Sequence, residues 1–391
     1  MNTRILNIRT QLEKESRDAV EIVEQLQKHR FTAYFVGGCV RDILVGVQPK
    51  DFDIATNALP GQIKRRISFA YVIGRRFRLV LVKRGDKTFE VATFRRNQPP
   101  TAEVDDQSET TSETTNESAN ETVSEAIGDN FFGSPEEDAR RRDFTINALF
   151  YDPVKDDLID YCNGIEDITN RCVRMIGDPN ERLLEDPIRI MRALRLAHKI
   201  RFVLEPSLRA AMQANAKSLE TTVLPRRREE ILKWLRLDDP HLAFQEAYDL
   251  GLLEYIAPSL HQLYKDPEKA SVFGLYLQRI KQISFDYENP GDLFGTLVLA
   301  YSQACLVSRD EPQPPVIAFL ESDDLVSFMR NELGMHNGEI GRLIRGFAMV
   351  PGLVDVERYL RKGRKRKLAF LAGEHFDLGL HLASADYLIS S

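Results

Sequence analysis

The chain has 391 residues, 43% of them hydrophobic, and a formal net charge of −6 from 53 basic and 59 acidic residues. This length corresponds to roughly two to four domains of ordinary globular composition. No apolar run is long enough to cross a bilayer, and the charged N-terminal residues 1–25 lack the apolar core of a signal peptide. We therefore expect a cytoplasmic protein with no membrane partner, and the net charge alone argues against nucleic-acid binding.

The four cysteines do not form a pattern typical of a metal site or of a disulfide framework. They are scattered along the chain at Cys39, Cys162, Cys172 and Cys305. Metal-binding cysteines usually occur in closely spaced pairs, and structural disulfides are rare in a reducing compartment. This usage also favours a cytoplasmic location.

The acidity is concentrated in one segment. Residues 98–130 contain nine acidic residues and no Lys or Arg, so the net charge of the remaining chain is +3 instead of −6. The segment consists mainly of Ser, Thr, Glu and Asn, and it has too few apolar residues to offset the chain entropy of folding. We predict a disordered acidic insert, with binding of a basic partner as the alternative.

The elements before this insert alternate between helix and strand. Residues 9–30 have the spacing of an amphipathic helix, and residues 31–38 form an apolar run that ends in two glycines, typical of a buried strand. A short helix follows, then a predicted strand over 51–57 and a helix that opens near Pro60. Residues 71–97 are rich in β-forming residues and contain a predicted hairpin turn at Arg84–Lys87.

After the insert, the pattern becomes mainly helical. Ser134 and Pro135 are a predicted N-cap and first helical residue, and the helix would continue through the arginines that follow. From about residue 165 onward, helical periodicity dominates. The sequence therefore predicts an α/β head followed by a longer helical part.

Two aspartates, Asp51 and Asp53, are the first candidates for chemistry. On a strand, residues i and i+2 point to the same face, so both carboxylates could bind the same divalent cations. Carboxylate oxygens suit Mg²⁺, and a pair of such ions can activate one oxygen and stabilise a departing one. The alternative is two solvent-facing aspartates at a strand end.

A second candidate site is the turn formed by Gly37, Gly38 and Arg41. Glycines allow a phosphate to approach the backbone closely, and the helix that follows offers free N–H groups. Arg41 lies in the first helical turn, where its forked donors could reach the same anion. The alternative is an ordinary tight turn, but its proximity in sequence to the two aspartates favours one site for a Mg²⁺-nucleotide.

Two further candidate groups lie on either side of the insert. Glu90 is on a predicted strand and could add a carboxylate to the metal site, or it could be an exposed strand residue. Beyond Arg140–Arg142, Asp143 and Asn147 would share one face of the predicted helix, since they are four residues apart. The alternative for that segment is an amphipathic helix with a charged outer surface.

A last candidate group follows Pro187. Arg189, Arg192 and Arg195 are spaced by three residues, and Asp186 stands three residues before the first of them. An Asp–Arg pair presents both acceptors and donors, which reading a base edge requires. Alternatively, Asp186 caps a helix and the arginines are ion-paired.

Together, these motifs resemble a known family. The segments that carry the resemblance are VGGCVRDILVG, KDFDIATN, EVATFR, RRRDFTINALFYD and EDPIRIMRALRLA, in this order over residues 30–200. They are similar to class II nucleotidyltransferases of the polymerase-β superfamily, which comprise tRNA CCA-adding enzymes and bacterial poly(A) polymerases. The resemblance implies an α+β fold in which a small mixed-sheet nucleotidyltransferase head is followed by an all-helical neck, body and tail.

The resemblance also implies a division of the chain and a role for each motif. The N-terminal helix would span 1–30, the head 31–160, the neck 161–225, and the body and tail, which bind RNA, 226–391. Two Mg²⁺ ions would be held by Asp51 and Asp53, with Glu90 and Asp143 as additional catalytic carboxylates. The nucleotide, ATP, would be bound by Gly37, Gly38, Arg41, Arg142, Asn147, Asp186, Arg189 and Arg192.

One segment favours poly(A) synthesis over CCA addition. VIGRRFRLVLV, residues 72–82, is similar to the signature of bacterial poly(A) polymerases, although Leu81 stands where a His is common.

A basic run near the end of the chain would suit RNA phosphates through counterion release, or it could be a solvated loop. That run consists of Arg361, Lys362, Arg364, Lys365, Arg366 and Lys367.

The expected function is therefore template-independent addition of AMP from ATP to RNA 3′ ends, with release of pyrophosphate. The partner would be mRNA. The alternative is a CCA-adding enzyme that uses CTP and ATP on tRNA, and a catalytically silent RNA-binding protein is the third reading.

Overall fold

The structure is a computed structural model that describes residues 2–74, 79–96, 132–282, 289–306 and 322–390. The predicted acidic insert over 98–130 lies outside these residues. The chain forms two compact units, Met1–Gly177 and Asp178–Ser391. The division into four named parts stays a prediction.

Within the described part of the first unit, seven strands form one mixed sheet in the order β3-β4-β5-β2-β1-β6-β7. Its strands are β1 (Ala33–Val36), β2 (Ile54–Thr56), β3 (Ala70–Ile73), β4 (Leu79–Arg84), β5 (Lys87–Thr93), β6 (Leu149–Asp152) and β7 (Asp157–Asp160), and β8 (Cys172–Val173) is separate. Strands β2 and β5 are parallel, whereas the other neighbours are antiparallel. The mixed sheet of the head is thus as the sequence predicts.

The helices of this unit are α1 (Asn2–Lys28), α2 (Gly38–Val45), α3 (Pro60–Arg66), α4 (Pro135–Arg140) and α5 (Gly164–Thr169), with a 3₁₀ turn over Thr145–Asn147. The apolar face of α1 is buried, as its amphipathic spacing predicts; Leu12, Val23 and Leu26 have no exposed surface. Arg84 pairs with Lys87 in the predicted two-residue hairpin, where Gly85 has a positive φ of 56°.

Two predictions for this unit are wrong in their details. The aspartates Asp51 and Asp53 precede β2, which begins at Ile54, instead of lying within the strand. The predicted helix through Arg140–Leu149 ends at Arg140, although Ser134 caps its start as predicted by accepting from the Glu137 N–H at 3.2 Å.

The second unit is almost entirely helical in its described residues, apart from the short strand β9 (Val203–Leu204). Its helices are α6 (Pro179–Glu185), α7 (Ile188–Ile200), α8 (Pro206–Ala214), α9 (Leu224–Leu235), α10 (Pro240–Asp249), α11 (Leu253–Ile256), α12 (Pro258–Tyr264), α13 (Pro267–Gln278), α14 (Pro290–Leu306), α15 (Asp323–Ser327), α16 (Asn337–Val354), α17 (Val356–Leu360), α18 (Arg364–Leu371) and α19 (Phe376–Ser390). A 3₁₀ segment spans Ala216–Thr221, and a π-helical segment spans Phe328–Glu332. The helical prediction for this part of the chain is confirmed.

Trp234 lies at the centre of the packing between α7, α9 and α10. Its ring has no exposed surface and packs edge-on against Phe244 at 5.4 Å, and its indole N–H donates to the Met191 carbonyl at 3.1 Å. A buried indole needs such a partner for its N–H. The apolar stripe of α9 is therefore a packing face.

Among the described residues, no helix combines the length and apolar character needed to cross a membrane.

Candidate active site

The turn between β1 and α2 is tightly constrained. Gly37 adopts φ 76° and ψ −124°, a conformation that side-chain-bearing residues rarely occupy. A Cβ at this position would lie 3.0 Å from Nη1 of Arg142. The glycine therefore allows the backbone turn and the Arg142 guanidinium to occupy adjacent space.

Arg41 lies beneath this turn and is only 5% exposed. Its Nε donates to Asp42 Oδ1 at 2.8 Å, and its Nη1 donates to the side-chain oxygen of Asn147. The Asn147 carbonyl in turn accepts a hydrogen bond from Arg142 Nη1 at 3.4 Å. The structure thus brings Gly37, Arg41, Asn147 and Arg142 together.

Asp53 and Glu90 are neighbours at the centre of the sheet. The Asp53 carbonyl accepts from the Val36 N–H at 3.0 Å, which extends the pairing of β1 and β2 to Asp53. Ile54 is in register with Val91 on the parallel strand β5, so the residues immediately before them, Asp53 and Glu90, lie side by side. Phe89 and Val91 are buried while Glu90 is exposed, which confirms the predicted face of Glu90.

These two carboxylates line one cavity of the head together with several cationic groups. The lining includes Asp53, Glu90, Thr93, Arg95, Asp138, Arg141 and Arg142. Carboxylates therefore face guanidinium groups across a single cavity. Such an arrangement can hold a divalent cation and an anionic substrate next to each other.

Asp53 carries the clearest electrostatic signal of this cavity. Its pKa is raised to about 6, mainly by burial and in addition by the carboxylates of Glu90 and Asp51, whereas Arg142 opposes the shift. Partly buried carboxylates that repel one another are stabilised by a bound cation. Asp51 is exposed and does not line the cavity, but its carboxylate is close enough to raise the pKa of Asp53, so the two aspartates together fit a divalent metal ion.

No group of three His, Cys, Asp or Glu residues at metal-binding distances occurs within the described residues. Mg²⁺ commonly binds through one or two carboxylates, and substrate phosphates and waters complete its shell. Two carboxylates at this site are thus a sufficient protein contribution for Mg²⁺, and the number of ions stays a prediction.

Cys39 is adjacent to this site but does not add a reactive group. It is 2% exposed and its thiol contacts the Val36 carbonyl at 3.4 Å. Burial, reinforced by the nearby Asp53, raises the pKa of the thiol to about 12. A thiol that remains protonated is a poor nucleophile, so Cys39 serves packing.

Asp143 and Asn147 do not share a helical face, contrary to the prediction. After α4 the chain pairs with residues 174–176: the Thr145 N–H donates to the Arg174 carbonyl at 3.1 Å, and the Ile176 N–H donates to the Asp143 carbonyl at 3.0 Å. These non-local bonds use backbone groups that a helix would need. Asn147 reaches the Gly37 turn by this route, and Asp143, four residues earlier, is half-buried.

Asp138 is a site residue that the sequence analysis did not single out. It is 6% exposed, and its Oδ2 accepts from Arg142 Nη2 at 2.8 Å and from Arg142 Nε at 3.2 Å. Asp138 stands four residues before Arg142 in the segment that the sequence predicts as a helix, and this spacing indicates a contact between the two side chains.

The residues expected to read the base lie in the second unit. Asp186 does not cap α7, because the cap position is Pro187; instead its two carboxylate oxygens accept from the Arg226 guanidinium at 2.9 and 2.8 Å. Arg189 donates to the Arg182 carbonyl at 2.6 Å and to Glu185 at 2.9 Å. Arg192, one turn further along α7, is half-buried.

The basic run near the end of the chain is helical over most of its length. Arg364, Lys365 and Arg366 are exposed at the start of α18. Lys362 lies 4.7 Å from the centre of the Phe370 ring, and Lys367 lies 5.9 Å from that of Tyr359. The alternative interpretation of this run as a loop is therefore wrong, because most of the run is helical. Most of its side chains are nevertheless exposed to solvent.

Each of the two units contains a segment that matches a family model of poly(A) polymerases. Residues 33–174 match the family model "Poly A polymerase head domain", and residues 201–264 match "Probable RNA and SrmB- binding site of polymerase A". Poly(A) polymerase I of Haemophilus influenzae is 39% identical over 254 residues, 65% of this chain and 54% of the relative. The CCA-adding enzyme of Enterococcus faecalis is 36% identical over 226 residues, 58% of this chain and 50% of the relative.

The chain therefore spans about half the length of the relatives that it matches. Among solved structures, the CCA-adding enzyme of Thermotoga maritima in complex with tRNA resembles it with a TM-score of 0.58 and 20% identity, covering 95% of this chain and 82% of that one. This likeness confirms the fold, a mixed-sheet head followed by a mostly helical remainder. Residues 33–174 and 201–264 thus match family models of poly(A) polymerases, and the chain is similar to bacterial poly(A) polymerases and CCA-adding enzymes.

Proposed function

We propose that the protein transfers AMP from ATP to the 3′-hydroxyl of RNA and releases pyrophosphate, without a nucleic-acid template. The observation that supports this most is the cavity of the head, in which Asp53 and Glu90 face Arg95, Arg141 and Arg142. Nucleotidyl transfer needs this combination, since divalent cations and a triphosphate must be held next to each other.

Each of the predicted residues in and around the cavity has a role in this proposal. Asp51 and Asp53 would hold two Mg²⁺ ions, which when bound neutralise charge and make the attacking hydroxyl a better nucleophile. Arg142 and the Gly37–Gly38 turn would orient the phosphates, with Arg41 and Asn147 beneath them. Glu90 and Asp143 would complete the polar lining. The protein would act mainly by positioning and charge stabilisation.

The second unit would supply base selection and RNA binding. Asp186, Arg189 and Arg192 are the residues we assign to the adenine base, because a carboxylate and guanidinium groups offer the acceptor and donors that a base edge requires. The basic run around α18 would contact RNA phosphates. We propose cytoplasmic mRNA as the substrate, in line with the expected location.

CCA addition is the second candidate, because relatives at comparable identity carry that name as well as poly(A) polymerase I. The segment that favours poly(A) synthesis in the sequence includes residues 75–78, which lie outside the described residues. The preference for poly(A) synthesis therefore rests on that sequence signature and on the identity of 39% to the Haemophilus enzyme.

The two candidates are separated by a nucleotide-by-nucleotide extension assay. A tRNA that lacks its 3′ end and an unrelated RNA are incubated with ATP, CTP, GTP or UTP separately, and with CTP and ATP together. We expect a long A tract on both RNAs with ATP alone. Strict addition of C, C and A to the tRNA would contradict poly(A) synthesis, and no extension of either RNA would contradict both candidates.

A further inference from the structure

We propose that Asp138 is a positioning residue for the substrate's phosphates, which fixes the Arg141 and Arg142 side chains toward the cavity that contains Asp53. This inference rests on the proposed function, since it concerns how the same cavity binds an anion. Asp138 would not touch the substrate but would act through the two arginines.

The first argument is the geometry of the carboxylate. One oxygen, Oδ2, accepts from both Nε and Nη2 of Arg142, at 3.2 and 2.8 Å. The other, Oδ1, accepts the Arg95 backbone N–H at 3.1 Å and lies 3.8 Å from Nη1 of Arg141. A single side chain thus connects helix α4 to the end of β5 and holds the guanidinium of Arg142 through two of its nitrogen atoms.

The second argument is how charge is distributed in the cavity. The guanidinium groups of Arg95, Arg141 and Arg142 line it together with the carboxylates of Asp53, Glu90 and Asp138, and Asp138 is the buried carboxylate that is paired with Arg141 and Arg142. Burial lowers the pKa of Arg141, and the Asp138 carboxylate opposes that shift. Asp138 therefore favours the charged form of Arg141, and charged guanidinium groups bind phosphate through paired donors.

The third argument is where the fixed arginine points. Nη1 of Arg142 reaches the Asn147 carbonyl at 3.4 Å and is 3.0 Å from the position of a Cβ on Gly37. Its guanidinium also lies 5.6 Å from the centre of the Phe150 ring. Release of Arg142 from Asp138 would therefore disturb the side of the Gly37 turn at which the proposed function places the phosphates, whereas the residues assigned to the base belong to the second unit.

The same helix offers a matched control. Glu136 accepts from Arg140 at 2.8 Å with the same spacing of four residues, but both side chains are more than half exposed. Glu136→Gln therefore removes an equivalent carboxylate–arginine pair that faces solvent. Asp138→Asn retains the volume and one oxygen acceptor while removing the charge.

The experiment measures binding of inorganic pyrophosphate with Mg²⁺ by calorimetry, together with KM for ATP, kcat and inhibition by adenosine. For Asp138→Asn we expect the dissociation constant of pyrophosphate and KM for ATP to rise about tenfold or more, since a hydrogen-bonded charged group is misplaced. Inhibition by adenosine should not change, and Glu136→Gln should behave like the unmodified protein.

Two results would overturn the proposal: an unchanged pyrophosphate dissociation constant in folded Asp138→Asn, or an equal loss in Glu136→Gln. If Asp138→Asn does not fold, Asp138→Glu keeps the charge and displaces the carboxylate, and the same rise in the pyrophosphate dissociation constant is expected. Wild-type affinity in that variant would also overturn it. Because calorimetry needs no turnover, absence of RNA extension by the wild-type protein would contradict the proposed function while leaving this test intact.

Discussion

The Asp186 carboxylate is held in a two-pronged ion pair by Arg226, with oxygen–nitrogen distances of 2.9 and 2.8 Å. The two residues are 40 positions apart, at the end of α6 and in the first turn of α9. In the proposed function Asp186 faces the base, so Arg226 fixes the direction in which its remaining lone pairs point. The pair therefore connects base selection to a residue in a different helix.

We predict that Arg226→Ala changes nucleotide selection without unfolding the protein. The pair is partly exposed, so its loss should lower the free energy of unfolding by less than about 1 kcal/mol. The ratio of kcat/KM for ATP to that for CTP should fall about tenfold, because Asp186 becomes free to rotate. Lys281→Ala, which breaks an exposed pair with Asp238 at 2.5 Å, is the control. An ATP/CTP ratio equal to that of the control would remove Arg226 from base selection.

The raised pKa of Asp53 predicts a pH-dependent stability difference. Its folded pKa is about 6 against an ordinary value of 3.8, so the folded state favours the protonated carboxyl, and stability is lost as pH rises through 6. In metal-free protein at pH 7–8, Asp53→Asn should therefore be more stable than wild type by on the order of 1–2 kcal/mol. Below pH 4 the difference should disappear. Urea unfolding at several pH values measures it.

The same comparison tests the metal site. Mg²⁺ should stabilise the wild-type protein and close the gap to Asp53→Asn, because the ion offsets the repulsion among Asp51, Asp53 and Glu90. A gap that is independent of pH would contradict the raised pKa of Asp53, and equal stabilisation of both proteins by Mg²⁺ would contradict the assignment of Asp53 as a metal ligand.

The basic run of α18 predicts a salt effect on RNA affinity. Replacing Arg364, Lys365 and Arg366 with Ala should weaken binding of single-stranded RNA of any sequence. The slope of log affinity against log salt should shrink by about 2, since each lost phosphate contact contributes roughly 0.7. Lys14→Ala/Arg17→Ala/Lys28→Ala on α1, which removes the same number of exposed positive charges, is the control for lost charge. A slope equal to that of the control would mean that α18 does not contact RNA phosphates.

The extent to which the sequence predicts this site depends on how local each signal is. The Gly37–Gly38 turn, the Ser134 cap and the outward face of Glu90 are set by neighbouring residues, and the structure confirms them. Asp138 could also have been found locally, because it lies four residues before Arg142.

Other features depend on distant partners. The helix expected through Asp143 and Asn147 is replaced by pairing with residues 174–176, which no local pattern indicates. The pair between Asp186 and Arg226 joins residues 40 positions apart, so helical spacing alone could not reveal it. Tertiary contacts override local propensity at both places.

The most direct measurement of the central claim is the rate of RNA 3′-end extension by Asp53→Ala with Mg²⁺ and ATP. Asp86→Ala is the matched control, since Asp86 is an exposed aspartate in the hairpin turn between β4 and β5 of the same sheet. We predict that Asp53→Ala remains folded and loses transfer by about a thousandfold or more, while Asp86→Ala is unaffected. Near-normal AMP incorporation by folded Asp53→Ala would contradict the claim that this cavity is the site of nucleotidyl transfer.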